Sequence, residues 1–320
     1  MIFTLVDGSK LECQDERQRL GPYDFYVSVD KQYVVRIDVE PPDSNSLAKR
    51  LCLWERFQAS SDVLKERCNH LVALVHSPGT GVVSRPHPSS FLMQGGRFPG
   101  RERSLNWLFR PQLQRMVKTE SEHPTRAGRM RLLSDLARTF ANLEEARISW
   151  PDVGCREVLA SADSKRIRLN FFDEKMLTCP EFPVPECPRD QEYMPPEVAE
   201  GVCRNTEREA VQANRHALAI LIYEMLMLRH PFNGPKVFST ESMEEDQRLM
   251  MGFGAVFIEH PTDHSNRWPG TLTPSYDSMG RRLQQLFERA FIKGIAAPEV
   301  RPGPLEWKSA LDELTTASGE

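Results

Sequence analysis

Several features that would mark a specialised protein are missing from this chain. The seven cysteines (Cys13, Cys52, Cys68, Cys155, Cys179, Cys187 and Cys203) are scattered and odd in number. None forms a C-x-x-C pair, which argues against a zinc site. Cys179-Pro180 and Cys187-Pro188 come nearest to a metal pair, but no second pair stands close by, so no metal is expected. The eight histidines form no H-E-x-x-H spacing and read as surface or packing residues. The N-terminus, Met1-Ile-Phe-Thr-Leu-Val-Asp-Gly8, has neither a basic n-region nor a cleavage site, so a cytoplasmic location is expected. The net charge of −4, with signs mixed, argues against a nucleic-acid binder. The basic stretch Arg97 to Arg110 reads as a solvated face.

With 320 residues the chain is long enough for a sizeable core. Its organising stretch runs from Tyr193 to Gly234. Tyr193-Met-Pro-Pro-Glu197 reads as an extended Pro-Pro turn, and the polar run to Asn214 as a linker. Ala217 to Leu228 then forms a helix apolar on nearly all faces, which belongs in the centre of a domain. At about 12 residues that helix is too short to span a bilayer. Arg229-His-Pro-Phe-Asn-Gly234 stops it.

Before this stretch, residues 1 to 40 read as a strand meander: Ile2 to Val6, Lys10 to Cys13, Tyr23 to Val29 and Gln32 to Val39. A helix from Asp43 to Gln58 follows, with Leu47, Leu51, Leu53, Trp54 and Phe57 as core positions. His70 to His76 and Ser90 to Met93 read as strands, Leu105 to Met116 as a helix, and Lys118 to Arg126 as a surface loop. Met130 to Ala146 is the clearest amphipathic helix, with Leu132, Leu133, Leu136, Phe140 and Leu143 at helical spacing. Later helices are expected around Glu244 to Met251, from Ser278 to Phe291, and at the close, where Trp307, Ala310, Leu311 and Leu314 form a buried stripe.

The P-P-E box, the buried helix, H-P-F-x-G and the closing R-P-x-x-x-E-W-x-x-A-L-x-x-L pattern resemble a bacterial protein-kinase-like family, the helix-hairpin-helix-associated kinase group. The resemblance implies an α+β, bilobal protein-kinase-like fold. It would have a β-rich N-lobe over residues 1–95 and a mainly α-helical C-lobe over 96–320, forming together one domain.

The same resemblance assigns site positions, and many are changed. The phosphate-covering loop would be Leu20 to Val27, where only Gly21 remains of G-x-G-x-x-G. Side chains there keep backbone N–H groups away from phosphates, and Pro22 removes a donor. Arg36 stands for the phosphate-anchoring Lys, with Glu55 as its expected acidic partner. Asp152 occupies the catalytic-loop position, but Glu157 replaces the metal-binding Asn. In the strand Arg166 to Asp173, Phe171 falls where the metal-chelating Asp belongs, or Asn170 in a register shifted by one. Asp173 lies beyond it. Glu197 is expected to pair with Arg301, and Asn214 to stand where an Asp braces the catalytic loop.

These changes together imply a pseudokinase: a regulatory or scaffolding protein without cofactor, contacting protein partners, and not a membrane or nucleic acid. Family association suggests a phosphatase or a von Willebrand-type domain protein as such a partner. The alternative is an active ATP-dependent Ser/Thr kinase or an atypical phosphoryl or nucleotidyl transferase. It would use Asp152 as base, Arg36 as phosphate anchor, and Glu157 with Asp173 as Mg²⁺ ligands.

Overall fold

The computed structural model describes residues 1–68, 71–109, 113, 123–151, 153–170, 177–184, 191–270 and 272–317. The fold is α+β. The N-terminal part is a seven-stranded antiparallel sheet made of β1 (Ile2–Leu5), β2 (Lys10–Glu12), β3 (Gln18–Leu20), β4 (Tyr23–Val27), β5 (Val34–Asp38), β6 (Ala73–Ser77) and β7 (Gly81–Ser84). Its spatial order is β2-β1-β6-β7-β5-β4-β3. The sheet curls until residues 12–14 meet residues 27–29: the Gln14 N–H donates to Val27 O (2.9 Å) and the Val29 N–H to Glu12 O (3.0 Å).

Side chains alternate across a strand, so the central strands serve two cores. Val35 and Ile37 join Phe3, Val75 and Val83 in a small core on one face. On the other face Leu74 and Val82 join the main core beside helix α1 (Ser44–Ala59), through its Leu53 and Phe57. Arg36 sits opposite Val82 in the β5–β7 register and Asp38 two residues on, so both belong to the α1-facing side. Gly81 is required at this junction, because a Cβ there would lie 2.1 Å from Arg36 O.

Asp43 caps α1 by accepting from the Ser46 N–H (2.8 Å), and Ser61 caps the following helix, α2 (Asp62–Arg67). Leu47 and Leu51, expected in the core, are exposed, whereas Lys49 and Arg50 are buried. Arg50 turns inward to the Asp38 carboxylate and Lys49 to the Val184 carbonyl. Ser90 to Met93 is not a strand. Ser89–Phe91 forms a 3₁₀ turn, and the chain supplies β7 earlier.

The helical part begins with the short α3 (Leu105–Phe109) and the long α4 (Arg126–Glu145). The expected helix end at Met116 and most of the loop from Lys118 lie outside the described residues. Two short strands, β8 (Val158–Ala160) and β9 (Ile167–Leu169), pair antiparallel. A single turn at Pro196–Ala199 leads to the central α5 (Glu207–Met227). That helix starts well before Ala217. Thr206 and Glu209 form a reciprocal capping box, and Gln212, Asn214 and His216 are polar yet buried, which conceals the helical pattern. The helix ends at Leu228 in the left-handed conformation (φ 56°).

Helices α6 (Met243–Met251), α7 (Arg281–Glu288) and α8 (Pro304–Ala317) complete the chain. The helix expected to Phe291 continues beyond α7 as a π-helical segment, Arg289–Lys293. α8 lies along α4 and buries Trp307 and Leu311 completely. Among the described residues no helix is long and apolar enough to cross a membrane.

Candidate functional site

The positions singled out by resemblance begin on β5. Arg36 is 3% exposed, and its guanidinium lies 4.3 Å from the ring centroid of Tyr23, the first residue of β4. The β3–β4 hairpin turns at Gly21, whose φ of +58° favours glycine. Tyr23 therefore belongs to the hairpin that was expected to cover a nucleotide.

Glu55 lies on the exposed face of α1. The ion pair that ties α1 to β5 has the opposite polarity: Arg50 donates from both terminal nitrogens to both oxygens of Asp38, at 2.7 and 3.1 Å. Both side chains are buried, and the Thr80 hydroxyl also donates to Asp38 (3.2 Å). The acid is on the strand and the base on the helix.

The loop after α4 is held by side chains from distant elements. The Asn214 Oδ1 accepts from the Trp150 N–H at 3.1 Å, with both residues buried. Asn214 thus braces this loop as a neutral amide. Asp152 itself lies outside the described residues. Further on, the Glu157 carboxylate accepts from the Gly154 N–H (3.1 Å), folding Glu157 onto its own loop. The Tyr193 hydroxyl accepts from the Cys155 N–H (3.3 Å) and donates to Glu224 of α5. Tyr193 is fully buried, and burial with the nearby Glu224 carboxylate raises its phenol well above the usual range.

Phe171 and Asp173 also lie outside the described residues. Asn170, just before them, is taken up by two residues from the segment after β7. Its Oδ1 is 2.9 Å from His87 Nε2, and its amide donates to Glu102 (2.9 Å). Burial, helped by the charge of Arg168 and opposed by the Asn170 bond, pushes His87 down to about 4. Burial raises the Glu102 carboxyl. His87 and Glu102 had no sequence signal, since neither belongs to a motif.

Glu197 and Arg301 come together in the interior. Arg301 donates from Nη1 and Nη2 to the two Glu197 oxygens, each at 2.7 Å, and from Nε to Gly294 O (3.0 Å). The H-P-F-N-G turn is clamped by fully buried Asn266, whose amide donates to Phe232 O (2.8 Å) and Val256 O (2.7 Å).

The structure thus holds a buried cation under an aromatic ring, a loop braced by an amide and a phenol, and two buried ion pairs, Arg50–Asp38 and Arg301–Glu197. No protein-family model and no curated protein matches the sequence.

Proposed function

We propose that this chain is a catalytically inactive, kinase-like protein that regulates or scaffolds a partner protein through its surface. In this reading the curled sheet with α1 and α2 is the N-lobe of a bilobal kinase-like domain, and the helices from α3 onward are the C-lobe. The observation that carries it is the state of Arg36. A phosphate anchor needs its charge directed into an open cleft, but Arg36 is buried with its guanidinium on Tyr23. Two further positions support the same reading, because Glu157 is bonded to the Gly154 N–H and Asn170 to His87 and Glu102. Each group is engaged by protein where phosphoryl transfer would need it for nucleotide or metal.

Calorimetric titration with ATP, first with Mg²⁺ and then with EDTA, tests the proposal. No heat in either titration is the expected result. Binding that requires Mg²⁺ would overturn it and favour a working phosphotransferase. Binding that survives EDTA would make the nucleotide a structural ligand of an inactive protein. A partner recovered with the wild-type chain should also be recovered with Asp152→Ala, since contact and not catalysis is the proposed role.

A further inference from the structure

One face of α1 carries Lys49, Cys52 and Arg56, spaced three and four residues apart and therefore neighbours on the helix surface. All three meet the segment 177–184, more than a hundred residues away in the chain. Lys49 Nζ donates to Val184 O (3.3 Å), and Arg56 Nη2 donates to both oxygens of Glu181 (2.6 and 2.7 Å). Between them, Cys52 Sγ lies 3.5 Å from Cys179 Sγ and 3.3 Å from Glu181 Oε2.

The segment is fixed independently of these contacts. Thr178 and Ser149 exchange backbone hydrogen bonds at 2.9 and 3.0 Å. Cys179 and Phe182 exchange another pair at 3.1 and 2.9 Å, closing a turn that brings Glu181 to the side of Cys179. Two sulfurs and a carboxylate oxygen therefore converge, all within 4.8 Å of one another.

We propose that Cys52, Cys179 and Glu181 form a three-ligand site for a soft divalent cation of the zinc class, with water as the fourth ligand. Bond lengths of about 2.3 Å to sulfur and about 2.0 Å to oxygen give tetrahedral edges of about 3.8 Å (S···S) and about 3.5 Å (S···O). The Cys52–Cys179 and Cys52–Glu181 separations, 3.5 and 3.3 Å, fall a little short of these edges, and the Cys179–Glu181 edge lies within 4.8 Å, so small side-chain shifts at the half-buried Cys52 and the exposed Glu181 complete the set. Cys179 is buried while Glu181 is exposed, so the site opens to solvent on the side where water would bind.

Arg56 holds the Glu181 carboxyl down at about 2, so this ligand is ionised at neutral pH. It also stands as the outer hydrogen-bond donor that ligating carboxylates commonly have. Burial pushes the Cys179 thiol up to about 12, so the metal must displace its proton. On binding, two S–H bonds ionise, two metal–sulfur bonds form, and two protons leave to solvent. The redox state of metal and sulfur is unchanged. The site is independent of the kinase-like reading and would clip α1 to the 177–184 segment.

The test is titration of the reduced, metal-free full chain with Co²⁺ and Cd²⁺, followed by thiolate-to-metal absorption, and with Zn²⁺ in competition. One equivalent should bind, with two protons released in weakly buffered solution. Cys52→Ser and Cys179→Ser should each abolish the one-equivalent band, Glu181→Gln should weaken binding at least tenfold, and Cys203→Ser should leave it unchanged. Hydrogen exchange gives a second readout, with α1 and residues 177–184 slowing on metal addition. Circular dichroism of each variant separates loss of ligand from loss of fold. The proposal falls if no band appears at one equivalent, or if the band persists in Cys52→Ser. It falls equally if the wild-type thiols take up no metal and close to a Cys52–Cys179 disulfide under a low-molecular-weight disulfide.

Discussion

Arg301 meets Glu197 with two nitrogens on two oxygens, each at 2.7 Å, although the residues stand 104 positions apart. The Arg301 side chain is wholly shielded from solvent, and its remaining bonds go to the backbone oxygens of Gly294 and Gln212. Glu197→Ala leaves that guanidinium buried without its counter-charge. The expected cost is about 3–5 kcal/mol, read from the urea midpoint at unchanged slope. Arg301→Lys should be nearly as harmful, because a single ammonium cannot reproduce the fork.

Asn214→Leu removes the acceptor for the Trp150 N–H while conserving most of the volume. A buried donor left unmade costs about 1–3 kcal/mol. Chemical denaturation measures the loss. Amide exchange at Trp150 should accelerate more than exchange elsewhere in the loop, which places the effect.

Gly234 abuts Asn266 so closely that an added Cβ would lie 2.0 Å from Asn266 O and 2.3 Å from its Oδ1. Gly234→Ala must therefore push out the residue that clamps the turn. Overpacking of this kind costs about 1–3 kcal/mol or more, visible as a lowered thermal midpoint.

His87 and His216 set a pH dependence with a definite sign. Burial depresses both, His87 to about 4 and His216 well below its usual value. His216 packs against Phe232 and Phe291, and among the described residues neither of its ring nitrogens has a hydrogen-bond partner. The unfolded chain thus binds more protons than the folded one below about pH 6.5, so stability rises with pH there. The contribution is complete above about 6.5 and is lost as pH falls through the folded value, about 4 for His87. His87→Gln should flatten the stability profile between those limits. A profile as steep as that of the wild type would show that His87 has no part in it.

What the sequence made legible follows from what kind of contact each residue makes. The apolar run Ala217 to Leu228 reads as a buried helix because its burial is written residue by residue. The first turns of α5 do not, because Gln212, Asn214 and His216 are polar side chains used inside. On α1 the pattern misled in the other direction. Leu47 and Leu51 were the better core candidates by hydropathy, but Arg50 turns inward to Asp38 and Lys49 to Val184. Helix phase alone also does not say which charge meets the sheet: Glu55 stands on the exposed face of α1, and it is Arg50 that pairs with Asp38 of β5. The Cys52–Cys179 contact left no mark in local spacing at all: its two members are 127 residues apart, and motif searches look for close neighbours.

The curl of the sheet limits how another protein could attach to it. An exposed strand edge recruits partners, wanted or unwanted, by backbone pairing. Here the outermost strands, β2 and β3, have three residues each, and the end of β2 and the chain leaving it are already hydrogen-bonded to the end of β4 and the residues that follow it. β3 is exposed throughout and carries Arg19 at its middle. So short and charged a ribbon offers little template for an incoming strand. The sheet is thereby protected against pairing edge to edge into larger assemblies, and a partner docking on it would have to be recognised by side-chain shape and charge.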